Sequence, residues 1–229
     1  MRKMKYLFMA LSIGLILCAC EAKKEKSSEK VDNKVEEKQE ETIVTEEITT
    51  GTIDGYTFEE TEEVTDRVKI QMNNGDIMLI VLSNKDTPIT IANFKKLVKE
   101  KFYDGITFHR IVKDFMIQGG DPTGTGYHGS DEKIKGEFQA NGVKNTLSHT
   151  KGVISMARGA ADMNSASSQF FICTSDKYIS SLDGYYAAFG KVFAGWDTLE
   201  KLNNTKVVGE TPVQKPIIKS IRFIKLKTS

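Results

Sequence analysis

The side chains in this 229-residue sequence that are of a type to do chemistry are few, and their spacing disposes of most conventional reactions. His109, His149 and Asp121 are the types a hydrolase assembles, but no nucleophile stands on a strained strand-to-helix elbow near them. The run Gly119-Gly120-Asp121-Pro122-Thr123-Gly124-Thr125-Gly126 is glycine-rich, yet no Lys-Ser or Lys-Thr follows to hold phosphates, so it reads as a loop. Three Cys and three His never cluster at ligand spacing, so neither a metal nor a cofactor is expected. Cys173, within Phe170-Phe171-Ile172-Cys173, reads as a buried free thiol acting as a small hydrophobe. Arg110 lies in Phe108-His109-Arg110-Ile111-Val112, where a period of two puts Phe108 and Arg110 on one side and His109 and Ile111 on the other. Taken alone, Arg110 is a solvated strand residue and His109 an inward, hydrogen-bonded structural one.

The elements that must position these residues occupy only part of the chain. Hydrophobic content is 39%, enough for one substantial domain, and Lys plus Arg total 32 against 31 for Asp plus Glu. A net charge of +1 offers no field to attract nucleic acid. Arg2, Lys3 and Lys5 precede an apolar stretch from Leu7 to Leu17, shorter than the roughly 18 to 20 residues that span a bilayer, so residues 1–19 read as a signal peptide. Leu17-Cys18-Ala19-Cys20 resembles a lipobox, which would make Cys20 the lipidated N-terminus of a bacterial envelope protein held by two acyl chains. Residues 20–64, rich in Glu, Lys, Ser and Thr and free of Pro, read as a disordered tether with a reach of about 35 to 40 Å.

From residue 65 to 229 the pattern is that of a folded domain. Val68, Ile70 and Met72 alternate with polar neighbours, Asn74-Gly75 signals a hairpin, and Ile77 to Leu82 is a second strand. Pro88 opens a helix with Ile91, Phe94, Leu97 and Val98 on one face. Short β-rich runs follow at 107–112, 115–118, 152–157, 169–174 and 187–193, then a helix from Trp196 to Leu202 and a closing strand from Pro216 to Leu226. Many short strands with two helices imply a mainly β fold, a closed antiparallel barrel capped by two α-helices.

Phe108-His109-Arg110-Ile111-Val112-Lys113-Asp114-Phe115-Met116-Ile117-Gln118-Gly119-Gly120-Asp121 resembles the cyclophilin family. So do Gly124-Thr125-Gly126, Leu147-Ser148-His149-Thr150, Ile154-Ser155-Met156-Ala157, Ser168 to Thr174, Leu182-Asp183-Gly184 and Phe189-Gly190-Lys191-Val192, in the family's order. The resemblance implies an eight-stranded barrel closed by two helices and a peptidyl-prolyl cis-trans isomerase acting on proline-containing polypeptides. It implies Arg110 as the catalytic arginine and Gln118 as the group that bonds the substrate backbone. Phe115, Met116, Phe171 and Leu182 would form the proline pocket, with Gln169 completing its floor and Ala157 and Arg158 lining the adjacent groove.

Three departures from the family pattern bear on function. Ser181 stands where eukaryotic cyclophilins have a Trp that contacts cyclosporin, so weak cyclosporin binding is expected. Tyr186 replaces the family's pocket histidine, and the stretch Arg158 to Ser168 is about two residues longer than in the cytosolic eukaryotic form. Trp196 belongs to the second helix and reads as packing. The combined expectation is a monomeric, lipid-anchored isomerase serving exported proteins, with no nucleic-acid partner. The alternative is a chaperone or adhesin module that binds proline peptides with little turnover.

Overall fold

The computed structural model of the chain describes residues 46–82 and 85–227. The stretch read as a signal peptide, Cys20 and the part of the expected tether up to residue 45 lie outside the described residues. In chain order the elements are β1 (Thr50–Ile53), β2 (Tyr56–Glu60), β3 (Arg67–Met72), β4 (Ile77–Val81), α1 (Pro88–Lys99), β5 (Arg110–Val112), β6 (Met116–Gly119), β7 (Val153–Met156), β8 (Phe170–Cys173), α2 (Ile179–Leu182), β9 (Ala188–Ala194), α3 (Trp196–Asn203), β10 (Val207–Val208), β11 (Thr211–Pro212) and β12 (Ile218–Leu226). Asn74-Gly75 does make the first barrel turn: Met72 N donates to Asp76 O at 2.8 Å, closing a three-residue loop in which Gly75 takes φ +88°.

Among the described residues ten strands form one antiparallel sheet in the order β1, β2, β12, β3, β4, β9, β7, β8, β6, β5. The eight from β12 to β5 are the barrel strands. No ladder joins β5 to β12; the segment just before β5 bridges the gap instead. Gly105 N donates to Ile218 O (2.8 Å), Ile218 N to Ile106 O (2.8 Å) and Phe108 N to Pro216 O (2.9 Å). The fold is therefore the mainly β, eight-stranded, helix-capped class expected, closed by a short bridge, with the four-residue α2 as an additional helix.

Alternation decides what fills the interior. Val68, Ile70 and Met72 of β3 join Met78 and Ile80 of β4 in one core cluster with Ile111, Ile117, Ile154 and Ile172. From α1, Phe94 meets the rings of Phe170 at 5.9 Å and Phe189 at 5.1 Å, while α3 adds Leu199 and Leu202 to the same core. Thr87 makes no side-chain cap for α1. The exposed amides of its first turn are met from elsewhere in the chain: Ile89 N and Thr90 N donate to the buried Glu137 carboxylate at 3.0 and 2.8 Å. Trp196 packs against the core as expected, over Gly152.

Two expectations need correction. Phe108 does not share a face with Arg110; it is buried in the core with Ile111, its ring 6.0 Å from Phe170. The chain changes partner between them, since Phe108 bonds Pro216 whereas Arg110 pairs with Gln118 on β6, and strict alternation does not survive that corner. The disordered tether expected over residues 20–64 also does not extend to residue 64. Residues 50–60 form the β1–β2 hairpin, and β2 pairs with the C-terminal half of β12. Phe58 is buried there against Leu79, Ala194 and Ile224 on the outside of the barrel. The outward-facing Lys69 of β3 is completely buried beneath this extension. Its ammonium donates to Glu47 Oε1 (3.0 Å), Ile48 O (2.6 Å) and Gln71 Oε1 (3.0 Å), and it also pairs with Glu60. Charges that read as solvated spacer are the partners of one buried lysine.

Candidate active site

Antiparallel register places the functional side chains in rows on the outer face of four neighbouring strands. Arg110 on β5 lies opposite Gln118 on β6, Gln118 opposite Phe171 on β8, and Phe171 opposite Ser155 on β7. The next row is Val112, Met116 and Cys173. The inward row behind them, Ile111, Ile117, Ile172 and Ile154, is core, so the site rests directly on the packed interior of the barrel.

A depression of about 260 Å³ opens on these rows, lined by Arg110, Phe115, Met116, Gln118, Ala157, Arg158, Phe171, Leu182 and Tyr186. An apolar cavity of about 150 Å³ already holds a benzene-sized ring, so the space suits one small ring and its flanking backbone. Met116, Phe171, Cys173 and Leu182 form a separate buried apolar cluster with Phe115, Ala157 and Tyr186 packed on it. Nine of the ten residues singled out from the sequence thus surround one depression. Gln169 does not line it. It stands behind Gln118, accepting from Gln118 Nε2 at 2.9 Å and donating to the carbonyls of Gly126 (3.0 Å) and His128 (2.7 Å).

Arg110 is held on two sides. Nε donates to Glu210 Oε2 at 2.6 Å and Nη1 to Gln118 Oε1 at 3.1 Å, while Nη2 has no protein partner among the described residues. Glu210, whose carboxyl is held below its ordinary value by that bond from Arg110, lies in the turn between β10 and β11, and nothing in the sequence pattern marked it. Arg158 acts as a strap for the wall. Its Nε donates to Tyr185 O (3.1 Å), and its guanidinium lies 4.9 Å above the Tyr186 ring and 5.2 Å from that of Phe138. Tyr186 meets Phe171 edge-on at 5.6 Å, forming an aromatic wall to the depression. Tyr178, also unmarked in the sequence, stacks obliquely on Phe115 at 4.3 Å.

The glycine-rich loop is organised around its own anion. Asp121 accepts from the amides of Thr123 (2.7 Å), Thr125 (3.1 Å), Gly126 (2.5 Å) and His128 (3.3 Å). Burial alone would raise its pKa, but these donors hold the carboxyl far below its ordinary value. The amides that a phosphate would need are already spent. Gly120, at φ +90°, lies where a Cβ would fall 2.3 Å from Ser168 O, so the loop can pass this close to β8 only as glycine.

A hydrolase-like chain does exist, though not the one the sequence suggested. Ser155 Oγ lies 2.9 Å from His149 Nε2, and His149 Nδ1 lies 2.7 Å from Asp183 Oδ1. Ser155 is wholly buried, so it has no access to a substrate carbonyl. The chain instead backs the pocket, with the His149 ring stacked parallel to Phe171 at 6.0 Å. Polar residues inside the otherwise apolar motifs Leu147 to Thr150 and Ile154 to Ala157 were the signal for it. His109 is buried, its ring against Gly126 of the glycine-rich loop, and neither ring nitrogen makes the well-formed hydrogen bond expected of it among the described residues.

Comparison with known proteins agrees with this geometry. The family model "Cyclophilin type peptidyl-prolyl cis-trans isomerase/CLD" matches residues 67–223. Peptidyl-prolyl cis-trans isomerase B of Bacillus subtilis is 37% identical over 143 residues, 62% of this chain and 94% of that protein. A Rhizopus delemar peptidyl-prolyl cis-trans isomerase-like 2 is 39% identical over 140 residues, 61% of this chain. The matched stretch spans only 19% and 25% of the length of some longer relatives. The crystal structure of a cyclophilin type peptidyl-prolyl cis-trans isomerase from Cryptosporidium parvum superposes with a TM-score of 0.62 at 33% identity, covering 72% of this chain and 98% of that one. The family model over residues 67–223, the Bacillus subtilis relative covered almost end to end and the fold shared with the Cryptosporidium parvum structure place the chain in the cyclophilin-type peptidyl-prolyl cis-trans isomerase family.

Proposed function

We propose that this chain catalyses cis/trans isomerisation of prolyl peptide bonds in exported polypeptides at the bacterial cell envelope. The observation that carries the reading is the free Nη2 edge of Arg110 beside the apolar wall of Phe115, Met116, Phe171 and Leu182.

The reaction needs no proton transfer and no covalent intermediate. Amide resonance sets a barrier of about 18 to 20 kcal/mol, and uncatalysed X-Pro exchange takes tens to hundreds of seconds. Twisting the bond localises the lone pair on the prolyl nitrogen. A fixed guanidinium that donates toward this nitrogen binds the twisted state better than either planar isomer. A thousandfold acceleration needs about 4 kcal/mol, and one hydrogen bond to a charged group contributes about 1.5 to 3 kcal/mol. The remainder falls to the pocket, which holds the proline ring still while the chain on the other side of the bond rotates, and to Gln118, which grips the substrate backbone.

The envelope location is supported by the apolar stretch Leu7 to Leu17 and by Leu17-Cys18-Ala19-Cys20. In this reading Cys20 carries the lipid and the domain works as a monomer outside the cytoplasm. Cys20→Ala should release the protein from the membrane fraction or block its maturation; normal processing with membrane retention would refute the anchor. For the reaction, wild type and Arg110→Ala are compared in a cis/trans assay on a proline tetrapeptide. Rates that both match buffer would sink the enzyme reading, and peptide binding that persists without turnover would favour a binding module.

A further inference from the structure

We propose that Glu210 is a positioning residue for Arg110, fixing the plane of the guanidinium so that its Nη2 edge is presented to the prolyl nitrogen. The inference rests on the isomerase reading above and adds to it a residue from outside the pocket.

The placement of Glu210 is built into the backbone. Val207 pairs with Pro212 and Val208 with Thr211, leaving Gly209 and Glu210 as a two-residue turn. Gly209 supplies the φ of +64° that the first position of such a turn demands. Val213 N donates to Lys206 O at 2.9 Å, extending the hairpin by one more pair. The carbonyl of Glu210 itself accepts from Ile111 N at 2.8 Å. The hairpin is thereby clamped to β5 at the residue next to Arg110, and the carboxylate meets Nε from a fixed origin.

An arginine side chain has large rotamer freedom, and its donors form a planar fork. One hydrogen bond would leave that plane free to turn about the bond. Two bonds in different directions, Nε to Glu210 and Nη1 to Gln118, define it. Pairing with a carboxylate also reduces the net positive charge, which would matter if a full charge developed during reaction. Rotation about an amide develops none; the acceptor is a neutral lone pair, so aim counts for more than charge. The sign follows: losing Glu210 should slow turnover. A latch that restrained Arg110 would give the opposite sign. The size is modest, because the Arg110 and Glu210 side chains are 38% and 54% exposed and solvent screens such a pair.

Wild type, Glu210→Ala and Glu210→Gln are compared for kcat and KM on the same tetrapeptide, for thermal midpoint, and by 15N NMR of the Arg110 Nε–H. Glu210→Ala should lower kcat about three- to fivefold with KM little changed. Glu210→Gln, which still offers an oxygen to Nε–H, should recover most of that loss. In the Arg110→Ala background Glu210→Ala should add nothing. The Nε–H resonance should shift and exchange faster with water in Glu210→Ala at an unchanged thermal midpoint. Turnover equal to or above wild type in Glu210→Ala overturns the proposal and leaves the isomerase reading intact. If wild type itself lacks turnover, the Nε–H resonance still decides: an unchanged signal in Glu210→Ala overturns the positioning role.

Discussion

Gln118 donates from Nε2 to Gln169 Oε1 at 2.9 Å while its own Oε1 accepts from Arg110, so this amide on the lining of the depression is oriented from behind. The chain continues from Gln169 to the carbonyls of Gly126 and His128, on the loop that Asp121 holds together. A residue outside the pocket thus sets which end of Gln118 faces Arg110.

Replacing Gln169 by Leu should therefore slow turnover without removing any group that lines the depression. A neutral side-chain hydrogen bond is worth about 0.5 to 1.5 kcal/mol, which corresponds to a loss of about two- to tenfold in kcat/KM. Steady-state kinetics on a proline tetrapeptide check this; a rate equal to wild type would show that Gln118 is oriented by other means.

Stability should fall on mild acidification. Burial holds both His109 and His149 below the ordinary histidine value of 6.5, more than offsetting the nearby carboxylates of Asp121 and Asp183. The unfolded chain therefore takes up these protons first. Stability is complete above about pH 6.5 and declines as pH drops toward the depressed native values. Asp183 acts lower down. The donors from Ser148 and His149 outweigh its burial and hold it below 3.8, so its contribution is lost as pH falls beneath that value. Urea unfolding between pH 8 and 5 should show a midpoint that decreases below 6.5; a flat profile would contradict the assignment of both histidines as neutral in the native state.

Lys69→Ala should be among the most damaging substitutions outside the site. It leaves the carboxylates of Glu47 and Glu60 facing a buried gap, and breaking a buried ion pair costs about 3 to 5 kcal/mol. Partial exposure of Glu47, at 30%, argues for the lower end. Denaturant unfolding measures the loss, and deletion of residues 46–60 should produce one at least as large. Turnover of the folded fraction of Lys69→Ala should match wild type, because Lys69 lies on β3 and the site on β5 to β8.

Cyclosporin should inhibit weakly. Ser181 is exposed and its hydroxyl turns back to Tyr178 O at 2.8 Å, so this rim of the depression offers no large flat surface. A buried Trp contact is worth about 2 kcal/mol at an interface, so Ser181→Trp should tighten binding about thirtyfold. Calorimetric titration of both proteins tests this, and equal affinities would place the determinant elsewhere.

What was legible in the sequence followed local pattern. Val68, Ile70 and Met72 declared β3 by alternation, Pro88 and the Phe94, Leu97, Val98 face declared α1, and the pocket residues fell in motifs whose order is that of the strands. What was not legible depended on distant partners. Glu47 and Glu60 read as solvent-facing because nothing local shows that Lys69 is buried between them. Glu210 sits 100 positions from Arg110, in a polar turn whose only local mark is Gly209. Alternation misplaced Phe108 because it assumes one continuous partner strand, and the chain exchanges partners at that corner.

The position of β12 governs how this molecule comes into being. It is the final strand in chain order among the described residues, yet it lies between β2 and β3 and receives the bridge from Gly105 to Phe108. Until it arrives, the β1–β2 hairpin has no neighbour, β3 has an open edge and the barrel cannot close. Its ladders span long sequence separations, from Val68 to Phe223 and from Phe58 to Leu226. Contacts of such range make folding slow and leave strand edges open meanwhile. For a chain emerging from its N-terminus, the groove on β5 to β8 can be assembled in outline before the barrel is sealed, and sealing waits for the last nine-residue strand.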